Sequence, residues 1–304
     1  MVAFVFPGQG SQFAGMGKDL ADNFPAARQV FEEANDSLGI NLARLCFDGP
    51  EEELKLTANT QPAIVTVSVA ALRVVETECG MQADFSAGHS LGEYSALVCA
   101  GALSFADAVR TVRQRGTFMQ EAVPVGVGTM AAIMGLDNTV LEAVCSEAAQ
   151  GEIVAPANFN SPGQVVIAGH VAAVERAIKL AGERGAKRAM VLPVSAPFHS
   201  SLMVPAADRL QEVLQNVVVG PMRHPVVSNV EASPNQDPER VRSLLVSQVS
   251  APVRWDESVS VMVQLGVERF VEIGPGKVLS GLIKRIAKGA VIQNVQDAAG
   301  LKDL

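Results

Sequence analysis

A chain of 304 residues, 48% of them hydrophobic and with a mean hydropathy of +0.24, carries enough apolar surface to fill a large core, which excludes intrinsic disorder. Only 18% of residues are charged and the formal net charge is -8, so a nucleic-acid binder, which needs a basic surface, is a poor fit. An acidic balance of this size suits a soluble cytoplasmic enzyme. The four cysteines, Cys46, Cys79, Cys99 and Cys145, show no C-x-x-C spacing and read as reduced core residues without a metal or disulfide role.

Met1-Val2-Ala3-Phe4-Val5-Phe6 lacks a basic n-region and is too short for a signal peptide, so it reads as a buried strand. The strand runs into Pro7-Gly8-Gln9-Gly10-Ser11-Gln12, a glycine loop that lets backbone come close to a ligand. Helical patterns follow at about 24 to 38 and 61 to 78, the second with Ile64, Val67, Ala71, Val74 and Val75 on one side. A strand near Asp84 to Ala87 then leads into Gly88-His89-Ser90-Leu91-Gly92, with helices from Glu93 to Cys99 and from Ser104 to Glu121. The longest uncharged apolar stretch, Ala122 to Leu136, is broken by Pro124 and glycines and falls short of the ~20 residues of a membrane span.

The middle of the chain changes rhythm. Thr129 to Gly135 reads as a strand, and Asp137 to Thr139 cap a helix whose Val140, Leu141, Val144 and Ala148 share a face. Ile153 to Phe159 and Gln164 to Ala168 flank the turn Asn160-Ser161-Pro162-Gly163; a helix through Val174 and Ile178 follows, then a strand from Arg188 to Val194. This βαββαβ order predicts a ferredoxin-like subdomain at 126–194, inserted in a large α/β domain made of 1–125 and 195–304. In the large domain Ser195 to His199 is a loop, helices lie near 202 to 217 and 238 to 248, Arg269 to Ile273 is a strand, and a final helix follows Gly274-Pro275-Gly276. Strands that end in glycine-bearing loops place a ligand site at their carboxyl ends.

The G-x-S-x-G pentapeptide sets Ser90 on a sharp strand-to-helix turn, exposed at a helix N-terminus with the Leu91 amide aimed where an oxyanion would form. A serine nucleophile needs a base, and four histidines compete for that role. His89 is adjacent in the turn and should point away; His170 sits at a strand-to-helix junction; His224 lies in a surface-like segment. His199, in a rigid Pro-containing loop that returns from the middle segment, is the preferred base. Asp107 and Asp137 stand at helix starts, where capping explains them, so the group orienting the imidazole need not be a carboxylate. In the helix from Ser104, the residues Ala108, Val112, Arg115 and Met119 share a face, which puts the Arg115 guanidinium on an apolar stripe where it needs a partner.

The strings FVFPGQGSQ (4–12), AGHSLGEYSAL (87–97), NFNSPGQVVIAGH (158–170), VSAPFHS (194–200) and EIGPGKVLSGLIKRI (272–286) resemble the malonyl-CoA:acyl carrier protein transacylases of bacterial type II fatty-acid synthesis, in family order across nearly the whole chain. The resemblance implies a hydrolase-like α/β core with a short parallel sheet plus the inserted subdomain. It implies Ser90 as nucleophile, His199 as base held by the main-chain carbonyl of Gln248, Gln9 and the Leu91 amide as oxyanion hole, and Arg115 as clamp for the malonyl carboxylate. It further implies malonyl-CoA and acyl carrier protein as partners, a ping-pong cycle without cofactor or metal, and a monomer in the cytoplasm. An acidic carrier protein is expected to dock near Lys277, Lys284, Arg285 and Lys288, whose spacing predicts one side of the last helix. Three other readings stay open at this point: a thioester hydrolase, a non-catalytic carrier-binding subunit, and a polyketide acyltransferase using malonyl or methylmalonyl units, with Phe198 resembling the malonyl-selective type.

Overall fold

The computed structural model describes residues 1–194 and 196–304; Ser195, at the start of the expected return loop, lies outside them. The first half runs β1 (Val2–Phe6), α1 (Lys18–Asn23), α2 (Pro25–Leu38), α3 (Leu42–Asp48), α4 (Glu51–Leu54), α5 (Thr57–Val74), β2 (Phe85–Gly88), α6 (Gly92–Ala100) and α7 (Phe105–Glu121). The middle is β3 (Gly128–Met134), α8 (Asn138–Ala149), β4 (Val154–Ser161), β5 (Gln164–His170), α9 (Val171–Glu183) and β6 (Arg188–Val191). The last part is α10 (Val204–Leu214), β7 (Val226–Val227), β8 (Pro234–Asn235), α11 (Pro238–Ser250), β9 (Val253–Arg254), α12 (Trp255–Gln264), β10 (Arg269–Ile273), α13 (Val278–Ile286) and β11 (Val291–Val295).

These strands make two sheets. The first has the order β11-β10-β1-β2-β7-β8 and is parallel except for the short β7–β8 pair. A strand buried on both faces must be apolar throughout, and β1 is. Its Ala3 and Val5 join a cluster with Trp255, Val259 and Phe270, while Phe4 and Phe6 belong to the larger cluster built by α2, α5, α6 and α7. The second sheet has the order β6-β3-β5-β4-β9 and is antiparallel apart from β4–β9. It has its own core, in which Ile133 and Ile167 meet Leu141, Val144, Val174 and Ala177 from α8 and α9. The β9 strand comes from beyond the middle segment and pairs with β4 at Asn158 and Phe159, a join that no local pattern announces.

Several boundaries differ from the sequence expectation. The helix expected from 61 starts at Thr57, so Pro62 lies inside it and cannot donate to the Ala58 carbonyl. Arg113 takes over that acceptor, its Nη1 donating to the Ala58 oxygen at 2.9 Å and also to the Asn59 side chain. After Val74 the helix continues as one π-type turn, Val75–Cys79. The strand expected to reach Val194 ends at Val191, just before Leu192-Pro193. The final helix ends at Ile286, so Lys288 lies past it and Lys277 precedes it, which leaves only Lys284 and Arg285 on the helix itself. Cys46, Cys99 and Cys145 are buried free thiols as expected for core residues, but Cys79 is exposed. The α12 helix and the β11 strand, both outside the sequence reading, complete the side of the first sheet that packs against Trp255.

The Pro62 arrangement predicts non-additive stabilities. Arg113→Ala should cost about 1 kcal/mol by leaving the Ala58 carbonyl without its donor. The same change in a Pro62→Ala background, where residue 62 can supply the N–H, should cost clearly less; equal costs by denaturant unfolding would refute the account.

Candidate active site

The turn after β2 is built by glycines that allow two backbone segments to touch. A Cβ on Gly88 would lie 1.9 Å from the Gly92 carbonyl carbon, one on Gly92 would lie 2.2 Å from the Phe6 oxygen, and one on Gly8 would lie 2.5 Å from the His89 oxygen. This close approach presses the Pro7-Gly8-Gln9 loop against the elbow and forces Ser90 into the left-handed region at φ 52°. Asn229, in the loop between β7 and β8, holds that conformation: its Oδ1 accepts from the Ser90 amide at 2.7 Å and its Nδ2 donates to the Gly88 carbonyl at 2.7 Å.

The Ser90 Oγ lies 2.8 Å from His199 Nε2. On the other side of the ring, Nδ1 lies 2.9 Å from the Gln248 carbonyl and 3.2 Å from the Ala251 carbonyl. Carbonyl oxygens only accept, so Nδ1 carries the proton and Nε2 presents its lone pair to the serine. His199 is itself at φ 57°, a second backbone position held away from the ordinary regions. Burial, reinforced by the nearby Arg115 charge, pushes the imidazole pKa down to about 3, so the ring is neutral at physiological pH.

Arg115, on α7, is 1% exposed, and no ion pair among the described residues includes it. Its Nη1 donates to Gln61 Oε1 at 2.9 Å, and its Nη2 to Gln248 Oε1 at 2.9 Å and Ser90 Oγ at 3.1 Å; Nε has no partner among the described residues. An ion pair with a protein carboxylate, another way to partner a buried guanidinium, is therefore not formed among the described residues. Burial lowers the guanidinium pKa, with Tyr94 and Glu93 acting the other way, but an arginine stays protonated at neutral pH. A buried charge met only by neutral oxygens, those of two carboxamides and the Ser90 hydroxyl, can receive an anionic ligand.

A cavity of about 230 Å³ opens over these groups, between the elbow and the second sheet, and Gln9, Arg115, Met130, Asn160 and Phe198 are among its walls. Gln9 is half-buried and its amide donates to Thr57 Oγ1 at 3.4 Å; the Leu91 amide precedes α6, where first-turn N–H groups lack an intrahelical acceptor. His89 points away from Ser90, bonding Asn160 at 2.8 Å and packing against Trp255. His170 accepts from the Ile153 amide at 3.0 Å and does not cap its helix; His224 bonds Ser86 Oγ at 3.0 Å and is half-buried, more enclosed than its surface-like segment implied. Asp107 forms a reciprocal cap with Ser104, and Asp137 occupies the N-cap of α8 without a side-chain bond. Among the basic residues expected to dock a partner, Lys277 and Lys284 line one shallow exposed depression, while Arg285 donates to Gln164 at 2.7 Å.

Four residues at the site escaped the sequence reading: Gln61, Asn229, Glu93 and Ala251. Glu93 had a readable signal, a carboxylate in an otherwise apolar helix, and it proves to be 3% exposed with burial pushing its pKa up to about 7. Asn229 had none, because its partners are 139 and 141 positions away.

A serine on a strand-to-helix elbow, hydrogen-bonded to a buried neutral histidine and faced by a guanidinium that forms no ion pair among the described residues, fits an α/β enzyme of the acyl-transfer class. The chain belongs to the acyl transferase domain family, whose model matches residues 3–301. It is 54% identical over 284 residues to the malonyl CoA-acyl carrier protein transacylase of Escherichia coli, covering 93% of this chain and 92% of that one. Among solved structures, an acyl carrier protein S-malonyltransferase from Vibrio cholerae is 50% identical, covers 99% of both chains and superposes with a TM-score of 0.97. A malonyl-transacylase solved in complex with its type II PKS acyl-carrier protein is 52% identical, covers 99% of this chain and 97% of that chain, and also has a TM-score of 0.97.

Proton linkage at the site has a defined sign. The folded state keeps His199 neutral where the unfolded chain, near 6.5, takes up a proton, so this group destabilises the fold as pH falls from about 6.5 to about 3. Glu93 acts oppositely: its contribution is full below about 4.5 and is lost as pH rises through about 7. Rapid acylation of Ser90 after a pH jump should therefore show no loss of base between pH 8 and roughly 5, and an inflection at 6.5 assigned to His199 would contradict the buried neutral ring.

Proposed function

We propose that this enzyme transfers a malonyl group from malonyl-CoA to the phosphopantetheine thiol of acyl carrier protein through a malonyl-Ser90 intermediate, supplying malonyl carrier protein to fatty-acid synthesis. The observation that carries the reading is the Arg115 guanidinium, which reaches the Ser90 hydroxyl at 3.1 Å while its other partners are the amide oxygens of Gln61 and Gln248. A substrate with a free carboxylate two carbons from the thioester carbonyl satisfies both groups at once.

His199 Nε2 takes the Ser90 proton as Oγ attacks the thioester carbonyl, and the Gln9 and Leu91 amides stabilise the oxyanion. The C–S bond breaks, coenzyme A leaves as the thiol with the proton from His199, and the malonyl ester remains on Ser90. The carrier thiol then gives its proton to the same nitrogen, attacks the ester carbonyl, and Ser90 Oγ leaves with that proton. Throughout, the carbonyls of Gln248 and Ala251 stabilise the imidazolium. Every atom in this sequence comes from substrate or side chain, so the reading calls for no metal or cofactor.

We read the first sheet as a hydrolase-like core and residues 126–194 as a ferredoxin-like subdomain, with 1–125 and 195–304 as the large domain; the order β6-β3-β5-β4 and the separate core of that segment support the division. In this reading the enzyme acts as a monomer in the cytoplasm; no helix among the described residues is long and apolar enough to cross a membrane. The carrier protein docks, in this reading, around Lys277, Lys284, Arg285 and Lys288.

Intact mass after mixing with malonyl-CoA should show a covalent malonyl adduct that Ser90→Ala abolishes. Arg115→Ala should lower kcat/KM for malonyl acylation at least about tenfold while acetyl acylation is kept or raised; an unchanged preference would refute the clamp. Lys284→Glu with Lys288→Glu should raise KM for carrier protein severalfold and leave KM for malonyl-CoA alone, and equal effects on both would sink the docking surface.

A further inference from the structure

Glu93 is a buried carboxyl group that the catalytic sequence above does not use. It lies in the first turn of α6, is 3% exposed, and no ion pair among the described residues includes it. Its Oε2 accepts from Gln248 Nε2 at 2.7 Å and from the Asn229 amide at 3.1 Å. The same Gln248 nitrogen donates to the Ser90 carbonyl at 2.9 Å, and the opposite end of the carboxamide, Oε1, accepts from Arg115 at 2.9 Å.

A carboxamide has a donor end and an acceptor end of nearly equal shape, so its neighbours decide which way it points. Arg115 has only donors to offer and needs the oxygen. The Ser90 carbonyl and Glu93 Oε2 both need hydrogens, and together they occupy the two N–H bonds of Gln248 Nε2. Turned the other way, the carboxamide would set its NH₂ against the guanidinium, donor to donor, and its oxygen against two acceptors. Because two donors converge on Oε2, the arrangement holds for the carboxylate and equally for an acid protonated on Oε1.

The geometry points to Glu93 as a positioning residue for substrate selection, one that sets the polarity of the Gln248 carboxamide and thereby keeps the Arg115 guanidinium aligned for the free carboxylate of the acyl group. The inference rests on the reading of Arg115 as the carboxylate clamp. It has a selective consequence, because His199 is held by the main-chain carbonyl of Gln248 and not by its carboxamide. Disturbing Glu93 should misalign the clamp while sparing the base, so acyl groups without a carboxylate should be little affected.

The test compares kcat/KM for Ser90 acylation by malonyl-CoA and acetyl-CoA in Glu93→Met, Glu93→Gln, Arg115→Ala and the Glu93→Met/Arg115→Ala double variant. Glu93→Met should lower the malonyl-to-acetyl ratio about tenfold, the effect of losing one hydrogen bond to a charged group. Glu93→Gln, which keeps an acceptor oxygen for Gln248, should stay within about twofold of the parent ratio. In the Arg115→Ala background the Met substitution should leave the ratio where Arg115→Ala alone puts it. If Glu93→Met does not fold, Glu93→Asp, whose carboxylate stops one methylene short of Gln248, should shift the ratio in the same direction. A Glu93 variant that slows both substrates alike, or leaves the ratio unchanged while Arg115→Ala lowers it, overturns the positioning role. A ratio that Arg115→Ala itself fails to lower overturns the clamp reading and the Glu93 role with it.

Discussion

A guanidinium sealed from solvent without a carboxylate at contact distance is the constraint around which this site is organised. An uncompensated buried charge is costly, and here Arg115 is met by the oxygens of Gln61 and Gln248 and by the Ser90 hydroxyl. Neutral acceptors lessen the cost without cancelling the charge, so the field of Arg115 remains available at the hydroxyl. The same field helps keep His199 deprotonated, which is the state a general base requires. A structural ion pair in that place would be more stable in isolation and would leave nothing for an anionic acyl group to bind.

Gln248 ties the two halves of this chemistry together. Its main chain holds the histidine and its side chain holds the arginine, the serine carbonyl and Glu93. A single residue on α11 therefore fixes groups carried by a loop, a helix and an elbow from distant parts of the chain. That economy is possible because the elbow is already rigid: Gly88, Gly92 and Gly8 permit contacts that any side chain would block, and Asn229 closes the turn from the far side.

Much of the architecture was legible because it is written in short-range pattern. The all-apolar β1, the G-x-S-x-G turn, the start of α7 near Ser104 and the strand-helix alternation of the middle segment each depend on residues within a few positions of one another. The errors fall where local pattern and environment disagree. The helix expected from 61 begins at Thr57, with Pro62 inside it, and a guanidinium 55 residues away meets the Ala58 carbonyl that the proline leaves without a donor. Short strands such as β7 and β9 have too few residues to show a period and exist because a neighbour offers an edge.

By itself the sequence determined the chemistry on offer: a serine on an elbow, a histidine in a constrained loop, an arginine on an apolar helix face, and the family to which these strings belong. Only the tertiary structure decided how they work together. The distance from Ser90 to His199, the tautomer dictated by two carbonyls, the lack of a carboxylate beside Arg115, and the hidden roles of Glu93 and Asn229 all arise between residues tens to more than a hundred positions apart. Hydrogen-bond direction and burial are properties of such encounters, and periodicity along a chain carries no record of them.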